Sequence, residues 1–320
     1  MHDCGNLLEA IERYIAKADD DLEDVLSEEG FIEPKLTVKK ASEIEDAITE
    51  ILEEETELFI TSAETAFDVQ SFADRIWPGV QLDDQTAEKI TEIFKEKFEE
   101  LLPELIEPYL KHTDNALNFT SVTKKTTAWI LNWSTELGAL MKLTSHTELE
   151  NIMKKNLEAG NGIQDFILDI QNSGIRDERY RARRVAITES LRAHSVAQEE
   201  AIQQSPAVES KEWVHTGSYR NSPRPNHEAI SGQIVPKTDP FTLYGADGST
   251  YYPQYPRDPI LPASESVNCH CIHRGIVSEQ ILGLPLAERR RLQSEAIAEM
   301  DAAWEEEFNA QNKAKAGIEE

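Results

Sequence analysis

The chain has 320 residues, 39% of them hydrophobic and 29% charged, enough for a sizeable core and for two domains. Three cysteines exclude a disulfide framework and suit a reducing compartment. No apolar run reaches the length that spans a bilayer, and the opening "MHDCGNLLEA" lacks the basic-then-apolar pattern of a secretory leader. The net charge of −28 is concentrated in residues 1–110, where nine Lys/Arg face 31 Asp/Glu. Such a segment repels nucleic acid and suits either a basic partner or a solvated helical surface.

The first two-thirds read as helix. "ASEIEDAITEILEEETELFITSAETAF" places Ile44, Ala47, Ile48, Ile51, Leu52, Leu58 and Phe59 close to one apolar face, with Ser42 as N-cap and Glu45 as its capping-box partner. Trp77-Pro78-Gly79 is expected to end that region. "DDQTAEKITEIFKEKFEELL" resumes the periodicity, and Pro103 and Pro108 predict a break or kink. Trp129 and Trp133, four apart on the next helix, read as core. Gly160 is a candidate C-cap for the helix after them. "IRDERYRARRVAITESLRAHSVAQEEAIQQS" has no Gly or Pro and reads as one long helix ending at Ser205-Pro206.

Beyond Lys211 the composition turns to Pro, Gly, Tyr, Asn and Ser, with short β-like runs at "EWVHT", "GQIV", "STYY" and "NCHCIHRGIV". "LPLAERRRLQSEAIAEMDAAWEEEFNAQ" returns to helix. The predicted class is α+β: a mainly helical, acidic region over 1–174, a small α+β module over 175–280, and a C-terminal helix with a frayed tail over 281–320.

Motifs of the module occur in a set order. Ala186, Thr188 and Glu189 lie on the long helix, followed by Lys211 and Trp213, Arg224 and His227, and the Gly232-Gln233 turn. Pro256 and Asp258 follow in "YPRDP", then Asn268, Cys269 and Cys271 in "VNCHC". This order resembles the phage Mu protein F-like head morphogenesis domain, found in minor head proteins of tailed phages. Two departures stand out: His270 occupies the position of an arginine, and "TGSYRNSP" lacks an aspartate often present before Arg-x-x-His. The resemblance covers roughly a third of the chain and implies a minor head protein in the virion, at the capsid interior. Its implied partners are portal and capsid or scaffold proteins and packaged phage DNA. It implies no membrane partner, and places the protein in the host cytoplasm during assembly.

On a strand over 267–277, Cys269, Cys271 and His273 would share one face. Two thiolates and an imidazole could then hold zinc, completed by His227 or His215. The alternative is that both cysteines pack as small buried hydrophobes, since zinc sites usually space cysteines by two or more residues. A disulfide is disfavoured because strand geometry puts the two Cα atoms roughly 6.5–7 Å apart. His227 reads either as a structural histidine or as the general base of a metal-dependent nuclease. Asp258 has a sufficient role in a turn. Arg176, Arg179, Arg181, Arg183 and Arg184 read either as a phosphate-contacting stripe or as a solvated helix with intrahelical ion pairs. No complete catalytic constellation is present. The reading is therefore a structural head protein, with a nuclease or toxin effector built on the same module as the alternative.

Overall fold

The computed structural model describes residues 21–173, 178–216 and 224–315. Residues 21–28 are helical (α1). Helix α2, Pro34–Glu64, opens on a proline, whose missing N–H costs nothing in a first turn. The expected N-cap at Ser42 is thereby corrected: Ser42 and Glu45 lie inside α2, and Glu45 instead receives the guanidinium groups of Arg179 at 3.1 Å and Arg183 at 2.9 Å.

A short α3, Val69–Ser71, is capped by Asp68, whose side chain accepts the Ser71 N–H at 2.7 Å. A π-helical turn, Phe72–Ile76, leads into α4, Trp77–Asp83. The Trp-Pro-Gly run therefore lies inside a helical stretch that is unbroken over 69–83 rather than ending one, with Pro78 just after the π-helical turn. Helix α5, Thr86–Thr113, runs through both Pro103 and Pro108 without a break. Leu101, Leu102, Leu105, Ile106 and Leu110 around them are fully buried, and that packing offsets the lost backbone bonds. Helices α6, Lys124–Ala159, α7, Ile163–Asn172, and α8, Glu178–Gln204, complete the helical part. No described helix is long and apolar enough to cross a membrane.

By internal contacts the chain divides into two compact units. One takes Ala41–Glu99 and Trp129–Ala186. Its core gathers Phe59, Phe72, Trp77, Leu149, Phe166 and Ile170.

The other unit takes the chain up to Lys40, Glu100–Ala128 and everything from Ile187. It holds a three-stranded antiparallel sheet in the order β2-β1-β5, built from β1, Val208–Val214, β2, Ile234–Pro236, and β5, Ile272–Val277. Trp213 lies opposite His273 and Lys211 opposite Gly275. β3, Leu243–Tyr244, and β4, Thr250–Tyr251, form a separate hairpin. Short helices α9, Pro225–Ala229, α10, Ala263–Ser266, and α11, Glu279–Leu282, punctuate the loops, and α12, Leu286–Lys315, closes the described chain. The mainly helical α+β class expected from the sequence is what the structure has.

Candidate functional site

β1 alternates in the way its sequence requires, with Lys211 and Trp213 both turned inward and fully buried. Trp213 stands at the centre of the module core with Ile230, Phe241, Leu243, Leu261, Cys269 and Cys271. Its ring meets those of Phe241 at 5.4 Å and His227 at 5.8 Å, both edge to face.

His227, in the short α9, is 1% exposed, and Cys269 and Cys271 are each 2% exposed. One donor atom from each of the three lies within 4.8 Å of the other two. His227 Nδ1 is 3.5 Å from Cys269 Sγ and 3.5 Å from Cys271 Sγ. His215 Nδ1 lies 3.4 Å from Cys271 Sγ, outside that set of three mutually close donors. Both cysteines are free thiols.

Glu265 fixes the orientation of the His227 ring. Glu265 Oε2 lies 2.9 Å from His227 Nε2, which turns Nδ1 toward the two sulfurs. Burial raises the Glu265 carboxyl, but hydrogen bonds from the Ala246 N–H, Asn226 and His227 hold it below its ordinary value. The carboxylate is therefore charged.

A second arrangement sets the cysteine loop. Arg257, in a left-handed backbone conformation at φ +65°, is 1% exposed. Its Nη1 donates to the carbonyl oxygens of Cys269, at 2.6 Å, and Cys271, at 2.9 Å, and its Nη2 donates to Ser195 Oγ at 2.6 Å. Arg192, held by Glu189 at 2.8 Å, donates in turn to the Arg257 carbonyl. The helix motif and the "YPRDP" loop thus meet at the cysteines.

The two thiols behave as a pair. A hydrogen bond from Cys271 holds Cys269 well below the ordinary thiol value, with His227 and the Arg257 charge acting in the same direction. The Cys271 proton is correspondingly held well above it, because Cys269 accepts from it and burial disfavours a second charge.

These donors fit zinc. Zinc–sulfur bonds of about 2.3 Å and zinc–nitrogen bonds of about 2.0–2.1 Å at the tetrahedral angle separate nitrogen from sulfur by about 3.6 Å. The His227–Cys269, His227–Cys271 and His215–Cys271 separations of 3.5, 3.5 and 3.4 Å match that edge. The carboxylate behind His227 is the usual outer partner of a zinc-bound imidazole.

The expected strand over 267–277 is corrected. β5 begins only at Ile272, and Asn268 is left-handed at φ +55°. Residues 269–271 curl around the Arg257 guanidinium, which lets sulfurs one residue apart converge. His273 is inside β5 and does not join them. Its Nε2 lies 3.0 Å from Glu199 Oε2, and Lys211 Nζ bonds Glu199 Oε1 at 2.8 Å. That second cluster also ties down Gln254, whose backbone and side-chain oxygens accept from Lys211 at 2.8 and 2.9 Å.

The remaining candidates are structural in placement. Arg224 donates to the Ser264 and Val267 carbonyls and so holds the end of α10. Asp258 accepts the backbone N–H groups of Gln254 and Ile260, the turn role expected of it. Thr188 and Glu189 are buried on α8. His270 pairs with Glu29 at 2.6 Å.

Among the arginines, Arg176 lies outside the described residues. Arg179 and Arg183 bond to Glu45 and Asp46 of α2, Arg181 donates to Ser145 Oγ and the Met141 carbonyl, and Arg184 lies over the Tyr180 ring. Arg179 and Arg183 thus pair with a neighbouring helix.

Sequence reasoning missed Arg257, Glu265, Arg192 and Ser195. Arg257 sits inside "YPRDP", beside an aspartate whose turn role is sufficient to account for that loop.

Residues 147–274 match the family described as phage Mu protein F like protein. The chain is also 31% identical over 309 residues to the uncharacterized protein YqbB of Bacillus subtilis (strain 168), covering 94% of this chain and 100% of that one. No solved structure matches. The chain belongs to the phage Mu protein F-like family, a phage head-morphogenesis family.

Proposed function

We propose that this protein is a minor head protein of a tailed phage or prophage, acting at the capsid interior with portal and capsid or scaffold proteins during head assembly. The observation that carries the reading is the family match over 147–274, which spans α8, most of the sheet and the cysteine–histidine centre. Burial supports a structural rather than a catalytic centre. Cys269, Cys271 and His227 are at most 2% exposed, and Glu265 is also 2% exposed. A nucleophilic thiolate needs an approach for its substrate, and a catalytic zinc keeps an open coordination position, whereas structural zinc sites are closed. In this reading a zinc ion on Cys269, Cys271 and His227, with His215 as fourth ligand, fastens α9 and the cysteine loop to β1.

Quantitative mass spectrometry of purified proheads and virions tests the proposal. The protein is expected at a low, fixed ratio to portal protein. Its complete absence from both particles overturns the reading.

A further inference from the structure

The helical unit contains a second cluster of metal-binding side chains, unconnected with the head module's thiols. Glu55 of α2, Asp84 between α4 and α5, and His146 of α6 each place a donor atom within 4.8 Å of the other two. They are 2%, 4% and 8% exposed. His146 Nε2 lies 2.6 Å from Asp84 Oδ2, and the imidazole is wedged edge-on against Trp77 at 4.9 Å and Phe59 at 5.9 Å. Asp84 Oδ1 accepts the Thr86 N–H at 2.8 Å, so that oxygen is fixed while Oδ2 faces the cluster.

One atom has no partner. Glu55 Oε1 is buried and makes no hydrogen bond, which is costly for a carboxyl oxygen removed from water. Glu55 and Asp84 both line a cavity of about 180 Å³, rimmed by Glu54, Asp83, Gln85 and Lys89. A water or an ion fits that space, and the acidic rim draws cations to it.

We propose that Glu55, Asp84 and His146 form a thiolate-free site for a divalent transition-metal ion. Two carboxylates and one imidazole suit Mn²⁺, Co²⁺ or Zn²⁺ and leave positions for water from the cavity. The His146–Asp84 separation must open from 2.6 Å to about 3.3 Å, the distance between two ligands with bonds of about 2.0–2.1 Å at the tetrahedral angle. Two cations already face the cluster. Lys142 Nζ is 3.9 Å from Asp84 Oδ2 and anchored on the Asp84 carbonyl, and Arg181 bears on Glu55 while donating to Ser145 and Met141.

Full-length protein titrated with Co²⁺, followed by absorbance and thermal melting, tests the site. Expected is one bound equivalent without thiolate-to-cobalt charge transfer, accompanied by a rise in Tm. Its loss in Glu55→Gln and in His146→Gln, with any thiolate signature unchanged, assigns it. Circular dichroism of the metal-free variants establishes that they fold. A measurement on the wild type alone covers variants that do not fold: Mn²⁺ should broaden the Trp77 indole signal in NMR spectra. No thiolate-free equivalent in the wild type, an unchanged equivalent in both folded variants, or an unbroadened Trp77 signal overturns the proposal. None of these outcomes depends on a role in phage heads.

Discussion

Arg257 holds Cys269 by its backbone rather than its sulfur: Nη1 donates to the Cys269 carbonyl at 2.6 Å and to the Cys271 carbonyl at 2.9 Å. One rigid fork therefore shapes the loop that brings the two thiols to His227. A guanidinium that also bonds Ser195 cannot be replaced by a point charge on a flexible stem. Arg257→Lys should lower stability by about 1–3 kcal/mol and Arg257→Met by about 3–5 kcal/mol, since buried acceptors are left unpaired. Urea unfolding checks both values, and a cost within about 0.5 kcal/mol for Arg257→Met, as at an ordinary surface position, would refute the role.

Metal analysis of protein purified without an affinity tag should give about one zinc per chain under conditions that leave the helical cluster empty. Cys271→Ser should release it and unfold the module, because structural zinc contributes directly to folding free energy. If no metal binds, the same change only buries a hydroxyl and costs about 1–3 kcal/mol. Glu265→Gln removes the charge behind His227 and should weaken zinc retention about 10–100-fold against a competing chelator. Equal retention by wild type and Glu265→Gln would separate the carboxylate from any metal role.

Acid should destabilise the module through His194. Burial, followed by the Arg257 charge, lowers its pKa from 6.5 to about 3. Its ring is enclosed by Tyr109, whose hydroxyl lies 3.0 Å from Nδ1, by the Thr37 hydroxyl and by the edge of Phe31. The unfolded chain takes up a proton near pH 6.5 and the folded chain does not, so this stability is present above pH 6.5. It is lost as pH falls toward 3, at up to about 1.4 kcal/mol per pH unit. Denaturant titrations between pH 7 and pH 5 should show a steeper decline for wild type than for His194→Gln. Parallel curves would show that His194 does not carry the slope.

Lys211 and Glu199 form a buried pair in which each charge answers the other. Desolvation pulls the Lys211 pKa down against the attraction of Glu199, whose own carboxyl is held below its ordinary value by His273 and Lys211 against the opposing cost of burial. Lys211→Met should cost roughly 3–5 kcal/mol, and Lys211→Met with Glu199→Gln should cost less than the sum of the single changes. A double-mutant cycle with no coupling would contradict the pairing.

The sequence disclosed the long helices, four of the five short strands and the order of the motifs, because periodicity and turn residues are local. It also brought Cys269, Cys271, His227 and His215 together as candidates. It failed at His273, because two-residue alternation assumes a strand, and the left-handed Asn268 leaves the cysteines outside β5. It failed at Ser42 because Pro34 starts α2 earlier, and at Trp77-Pro78-Gly79 because the helical stretch continues through Pro78 just after a π-helical turn. Arg257, Arg192 and Glu265 were out of reach for a different reason. Their importance lies in which distant carbonyl or ring they meet, and no local pattern encodes that. The helical cluster is similar: Glu55, Asp84 and His146 come from three separate segments.

The pairing of Glu29 with His270 spans 241 positions, and Leu26, Phe31 and Val38 share a core with Leu191. On the ribosome the early segment therefore waits through most of synthesis for its partners. Ala41–Glu99 and Trp129–Ala186 are both complete well before His270 emerges. One unit can close during translation, whereas the unit bearing the cysteines closes only near its end, with long-range contacts that are slow to form. A chain halted before Leu191 leaves Leu26 and Phe31 without the core partner they share in the finished fold.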